Sequence, residues 1–392
     1  MAHNNSLENV LILQGGGSLG AFGCGVFKAL AETRVKIDIL AGTSIGGINA
    51  AIIAGSRDKR PEFALEQFWL ELAENSIDLV PSPLLPSIPV APTDNELGSH
   101  YSHYHQQAGV SLRQALSFYS SALYGNSMMF LPRWRVEYAT KDPKYFRPHE
   151  WTYIYDHSPL ASTLEKYINY DKLRPGGNPN TRLIITAVNV LTANPMTFDS
   201  AHQQITVKHL LGTSGYPLYG FPWVEVEKGM YVWDGSLLSN TPLREAIDAS
   251  PVIDKQVFIV ENYPKKIERL PQNLPEVLHR ARDIVFSDKT EHNVAMSKVI
   301  TRYLQYIEEL YQIVEKHADH KKLDKEQLKR IRHKYKKYKQ DRGAEIKNIV
   351  YITREERFPY LYENTDFTPS GIKNLIKEGE SKTKQALRKM GL

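Results

Sequence analysis

The chain has 392 residues, 42% apolar and 10% aromatic, and its 49 Lys and Arg against 44 Asp and Glu leave a formal net charge of +5. This length exceeds a usual single domain and can enclose a large core, and the composition excludes a disordered or fibrous chain. The charge is too small for the length to indicate nucleic acid on its own, and the single cysteine, Cys24, excludes an intrachain disulfide framework.

The stretch Met1-Ala2-His3-Asn4-Asn5-Ser6 has no basic segment leading into an apolar core, so no secretory signal is expected. No apolar run reaches about 18 residues, the length of a spanning helix. One cysteine fits a reducing compartment, and the expected location is the cytoplasm, with any membrane contact peripheral on the inner face.

Residues 9–56 read as strand, turn, helix, then strand, turn, helix again. The apolar runs Val10-Leu11-Ile12-Leu13 and Ile37-Asp38-Ile39-Leu40-Ala41 predict buried parallel strands between helix layers. The helices are expected at 19–33 and 45–54, with another at 62–74. Cys24 is expected as a small buried residue on the first of them. Five prolines between Leu79 and Gly98 break both helix and sheet, and a loop of that length is a candidate lid. Short helices are expected at 111–123 and 158–168. Strands follow at 183–188, 196–199, 231–233 and 256–260, with a helix from Thr241 to Ser250 that carries Pro242 in its first turn. Residues 275–341 are helical by period, with an apolar stripe and a break near Ala318-Asp319-His320. Residues 348–352 read as a strand rejoining the sheet, and 369–388 as a last helix.

Two glycine-rich turns follow the first two strands. Gln14-Gly15-Gly16-Gly17-Ser18-Leu19-Gly20 offers backbone N–H groups at a helix start, where an oxyanion can be held. Gly42-Thr43-Ser44-Ile45-Gly46 matches G-x-S-x-G, in which a serine rides on a tight strand-to-helix turn between small neighbours. The first turn also fits G-x-G-x-x-G, with Asp38 about 20 residues on, where a dinucleotide fold keeps its ribose-binding acid. In that fold the acid ends the second strand; here the chain runs on through Ile39-Leu40-Ala41 into the serine turn. A serine nucleophile needs a base. The later histidines fall in the polar helical region, whereas Val232-Trp233-Asp234-Gly235-Ser236 reads as an apolar strand ending in an acid, which desolvation would make a better proton acceptor.

These three elements together resemble the patatin-like phospholipases over roughly residues 8–262, with Leu237-Leu238-Ser239-Asn240-Thr241-Pro242 continuing the likeness. The resemblance implies a three-layer α/β/α sandwich with a mostly parallel sheet, and a serine acyl hydrolase of lipid esters that works through an acyl-enzyme. It implies Ser44 as nucleophile, Asp234 as base, Gly42 and Gly46 as the elbow, and the stretch Gly15, Gly16, Gly17 and Ser18 as the oxyanion loop. No organic cofactor and no metal is required. Gln14 and Leu19 stand where the family often has an acid and a basic residue, and the missing positive charge weakens contacts to an anionic head group. A storage ester or polyester is one alternative substrate, and a non-catalytic membrane-binding module is an alternative role.

The resulting division is a catalytic domain at 1–270, with 79–170 as lid or insertion, and a helical extension at 271–392. Within the extension, Leu270-Pro271, Leu274-Pro275-Glu276-Val277, Arg282-Asp283-Ile284 and Asp366-Phe367-Thr368-Pro369 resemble the extension of a bacterial subgroup of the family. Its basic tract at 321–342 is a candidate docking surface for anionic membrane, and it carries no nucleic-acid motif. His100, His103 and His105 lie close together without a recognised metal-ligand spacing.

Overall fold

The computed structural model describes residues 7–33, 35–76, 116–250, 253–287, 290–317, 324–340, 346–356 and 363–391. The proline-rich segment, the three clustered histidines, and Lys321, Lys322 and Arg342 of the basic tract lie outside them.

The first half alternates strand and helix as the apolar runs require: β1 (Glu8–Leu13), α1 (Gly20–Ala31), β2 (Ile39–Thr43), α2 (Ile45–Ala54) and α3 (Pro61–Glu74). A 3-10 turn at Gly17–Leu19 occupies the start expected for the first helix. Residues 116–124 form α4, followed by a short ribbon of β3 (Leu131–Pro132) and β4 (Tyr155–Asp156), then α5 (Ser158–Tyr167). Next come β5 (Arg182–Asn189), β6 (Pro195–Asp199), α6 (Val207–Ser214), β7 (Val224–Glu227), β8 (Met230–Asp234), α7 (Leu243–Asp248) and β9 (Lys255–Glu261). The last elements are α8 (Leu274–Phe286), α9 (Thr290–His317), α10 (Lys325–Gln340), β10 (Ile346–Thr353) and α11 (Pro369–Met390).

Among the described residues the strands form an eight-stranded sheet in the order β10-β9-β1-β2-β5-β8-β7, with β6 also on β5. The first five of that order run parallel, while β6, β7 and β8 are antiparallel additions. Alternation along β1 builds the layers, because successive side chains leave opposite faces of a strand. Val10 and Ile12 face Leu243 and Ala246 of α7 and Val294 of α9, while Leu11 and Leu13 face α1, α2, α3 and α11. The result is the three-layer α/β/α sandwich.

Two details depart from the sequence reading. The helix expected from Thr241 begins only at Leu243, with Pro242 as its N-cap, because Asn240 and Thr241 are drawn off to bond the first glycine turn. Asp234 ends a strand that runs antiparallel to β5, within a sheet expected to be mostly parallel. Residues 346–353 do rejoin the sheet, on β9, and α11 packs across α1 through buried Ile372, Ile376 and Leu387. Cys24 is fully buried, and desolvation raises its thiol pKa, the opposite of a reactive cysteine. Asp38 precedes β2 and accepts from the Asn9 backbone N–H, at the opposite end of β1 and β2 from the glycine turn.

Candidate active site

Strand register brings Ser44 and Asp234 together. β2 pairs Thr43 with Thr186 of β5, and one step further β8 pairs Asp234 with Ala187. β5 outruns β2, so β8 enters the space beyond the end of β2 and stops where Ser44 leaves it. Ser44 itself has φ 56° and ψ −132°, a conformation that costs on the order of 1–3 kcal/mol and persists only where its surroundings enforce it. Its backbone N–H donates to Thr213 Oγ1 at 3.0 Å, and that hydroxyl donates to the Thr186 carbonyl at 2.6 Å.

Asp234 is 1% exposed. Its Oδ1 accepts from the Ser236 backbone N–H at 2.9 Å and from the Ser236 hydroxyl. Its Oδ2 is buried and lacks a well-formed hydrogen bond, although the Ser44 hydroxyl stands near enough to favour its charge. Burial dominates over these donors and pushes the carboxyl up to about 6.

The first glycine turn faces this pair. Gly16 and Gly17 have φ of 155° and 57°, and both line the cavity that contains Ser44 and Asp234. Their N–H groups make no hydrogen bond within the described residues. Gly15 is different: its N–H is taken by Asn240 Oδ1 at 2.9 Å. The Ser18 hydroxyl points out of the cavity, donating to the Glu363 carbonyl at 2.9 Å. Of the four loop residues expected from sequence, Gly16 and Gly17 are thus the ones turned to the cavity. Gln14 spans from the end of β1 to Thr241 at 2.7 Å and to the Asn262 backbone at 2.9 Å, so its amide braces the loop. Leu19 is buried beside Tyr216, Tyr263 and Phe286.

The cavity measures about 670 Å³ and its wall is mainly apolar. It is lined by Phe118, Met129, Phe130, Tyr155 and Phe221, with Phe367 edge-on against Phe130, and by Tyr263, Leu278 and Phe286, with Arg282 and Asn364. Sequence reasoning gave the later lining residues no place in the site: Arg282 and Phe367 lie in stretches that resemble the extension of a bacterial subgroup, a likeness that implies no role for them. It also missed His157, a histidine in the wall. Burial holds His157 down to about 4, so Asp234 is the stronger base of the two. The downstream His279 is held between Glu356 and Asp283, away from this cavity.

His279, Asp283, Glu356 and Glu363 bring potential ligand atoms within 4.8 Å of one another. The guanidinium of Arg282 lies 2.7 Å from Asp283 and 2.9 Å from Glu363, and that of Arg354 lies 2.7 Å from Glu363. Two fixed cations already sit among the carboxylates, so the donor set fits an ion-pair network rather than a cation site.

The sequence profile of the family described as Patatin-like phospholipase matches residues 11–247. A lysophospholipase nte1 of Aspergillus terreus is 47% identical over 53 residues, 14% of this chain and 4% of that protein. Patatin-like phospholipase domain-containing protein 7 of Mus musculus is 39% identical over 61 residues, 16% of this chain and 4% of that protein. The chain therefore spans a small fraction of the length of these relatives. Among solved structures, VipD from Legionella pneumophila aligns with 98% of this chain and 67% of its own, with 15% identity and a TM-score of 0.34.

Proposed function

We propose that this chain, which belongs to the patatin-like phospholipase family, hydrolyses carboxyl esters of lipids with Ser44 as nucleophile and Asp234 as base. The observation that carries the reading is the strand register that puts the strained serine beside a buried carboxylate with a free oxygen. Ser44 Oγ attacks the ester carbonyl as its proton passes to Asp234 Oδ2, and the oxyanion is received by the N–H groups of Gly16 and Gly17. Return of the proton to the leaving alkoxide leaves an acyl-enzyme, and water attacks it with the same aspartate as base. The apolar wall is suited to an acyl chain.

The test is hydrolysis of acyl p-nitrophenyl esters and of phospholipid vesicles by wild type and Ser44→Ala, with a fluorophosphonate probe to trap the nucleophile. Turnover and labelling should both vanish in Ser44→Ala while circular dichroism stays unchanged. Persistent labelling of the variant would place the nucleophile elsewhere.

A membrane surface is the expected working site. Among the described residues no helix is long and apolar enough to cross a membrane. The α9–α10 hairpin, joined by stacked Tyr311 and Tyr335, exposes Tyr303, Tyr306, Leu310 and Ile313 beside the lysine-rich α10. Basic residues near anionic lipid contribute about 1 kcal/mol each. The chain should therefore sediment with vesicles containing phosphatidylserine and remain in the supernatant with phosphatidylcholine alone; equal partition would remove the electrostatic component.

A further inference from the structure

The oxyanion loop is held from outside the family-matched residues. Ser18 Oγ donates to the Glu363 carbonyl at 2.9 Å, and a Cβ on Gly17 would lie 2.2 Å from the Asn364 carbonyl oxygen. The 363–365 turn is thus the floor on which the loop rests. That turn is fixed by the Glu363 side chain, whose Oε1 takes Arg282 of α8 at 2.9 Å and Arg354, just past β10, at 2.7 Å. Arg354 has a second arm: its Nε donates to the Asn262 carbonyl at 2.8 Å. Asn262 in turn donates through Nδ2 to the carbonyls of Gln14 and Gly15, each at 3.1 Å. One buried guanidinium therefore reaches both ends of the glycine turn, through Asn262 to Gln14 and Gly15 and through Glu363 to Ser18.

A loop whose amides must meet a developing oxyanion gains rate only if it is held before the reaction begins. A glycine-rich segment with positive φ has little rigidity of its own. We propose that Arg354 and Glu363 are positioning residues of the reaction, and that the segment after residue 270 completes the active site by clamping the oxyanion loop. The inference rests on the function proposed above. It adds that residues beyond the family profile, touching no reacting atom, set the geometry of the transition-state contacts.

Glu363→Gln keeps the shape of the side chain and removes its charge; Arg354→Met removes both arms. Each should lower kcat by roughly a hundredfold, the loss expected from about 1 Å of misplacement, with KM near wild type. Affinity for a trifluoromethyl ketone, which forms a tetrahedral adduct on the serine, should fall with kcat rather than with KM. Ser18→Ala, a milder change that preserves the ion pairs, should shift kcat in the same direction by less. Hydrogen exchange at residues 14–20 should quicken in all three variants, a readout that needs no activity. Folded Ser18→Ala and Glu363→Gln proteins with wild-type kcat, ketone affinity and loop exchange would overturn the clamp while leaving the hydrolase reading intact. Wild type inactive on every ester would instead count against the hydrolase reading, and exchange alone would then decide the clamp.

Discussion

Asp234→Asn should abolish most ester hydrolysis and at the same time make the protein more stable above neutral pH. The positioned carboxylate is the base of the proposed mechanism, and a general base contributes roughly a hundred- to ten-thousand-fold. Asparagine preserves the shape and can still accept from Ser236 through its carbonyl oxygen, so the turn that ends β8 should survive. The wild-type pH profile should share this origin. Only the ionised carboxylate can accept the Ser44 proton, so kcat/KM should rise with pH through about 6 and level off above it.

The stability effect has the opposite sign. The folded-state carboxyl titrates near 6 and the ordinary value is 3.8. The native state therefore binds its proton more tightly, and that contribution is fully present below 3.8 and lost as pH rises through about 6. Above that window wild type carries an unfavourable buried charge worth up to about 3 kcal/mol, which asparagine does not. Urea denaturation of both proteins at pH 8 and near pH 4 measures this; a variant no more stable than wild type at pH 8 would mean the carboxylate is better solvated than its burial implies. Full activity in Asp234→Asn would assign the base to another group.

Gly46→Ala should be severely damaging for a single added methyl, and it should strike stability and activity together. α2 starts directly over the end of β1, and a Cβ at position 46 would lie 2.1 Å from the Leu13 carbonyl oxygen and 2.6 Å from that of Gln14. Both are backbone atoms, so no side chain can swing aside. Gly42 is pressed in the same way, with a Cβ there 2.4 Å from the Gly46 carbonyl carbon. Relief requires α2 to lift from the sheet, at a cost on the order of 3 kcal/mol. Because Ser44 sits between these contacts, the lift would also draw the hydroxyl from Asp234. A marked fall in melting temperature together with a fall in kcat is the expected result. Alanine tolerated in both measurements would mean that α2 does not approach β1 as closely as these contacts require.

The sequence by itself determined the elements whose signals are local. Uninterrupted apolar runs made β1, β2, β5 and β9 legible as buried strands, and the G-x-S-x-G spacing placed Ser44 on the tight turn between β2 and α2, where the structure has it. The acid of Val232-Trp233-Asp234 could also be picked out, because a carboxylate closing an apolar strand is costly without a purpose. Tertiary structure alone decided how these parts meet. Nothing local says that β8 runs antiparallel to β5, yet that direction and its one-residue offset from β2 are what bring Asp234 level with Ser44. Nothing local separates Gly15 from Gly16 and Gly17 either; Asn240, some 225 residues away in sequence, takes the N–H of the first and leaves the others turned to the cavity. The lining by Phe286 and Phe367 and the brace formed by Arg354 and Glu363 come from a tail whose local signals read as polar helix, strand and helix and point to no site. Periodicity reports which face of an element is buried, while contacts across hundreds of residues depend on where whole elements dock, and only the folded chain fixes that.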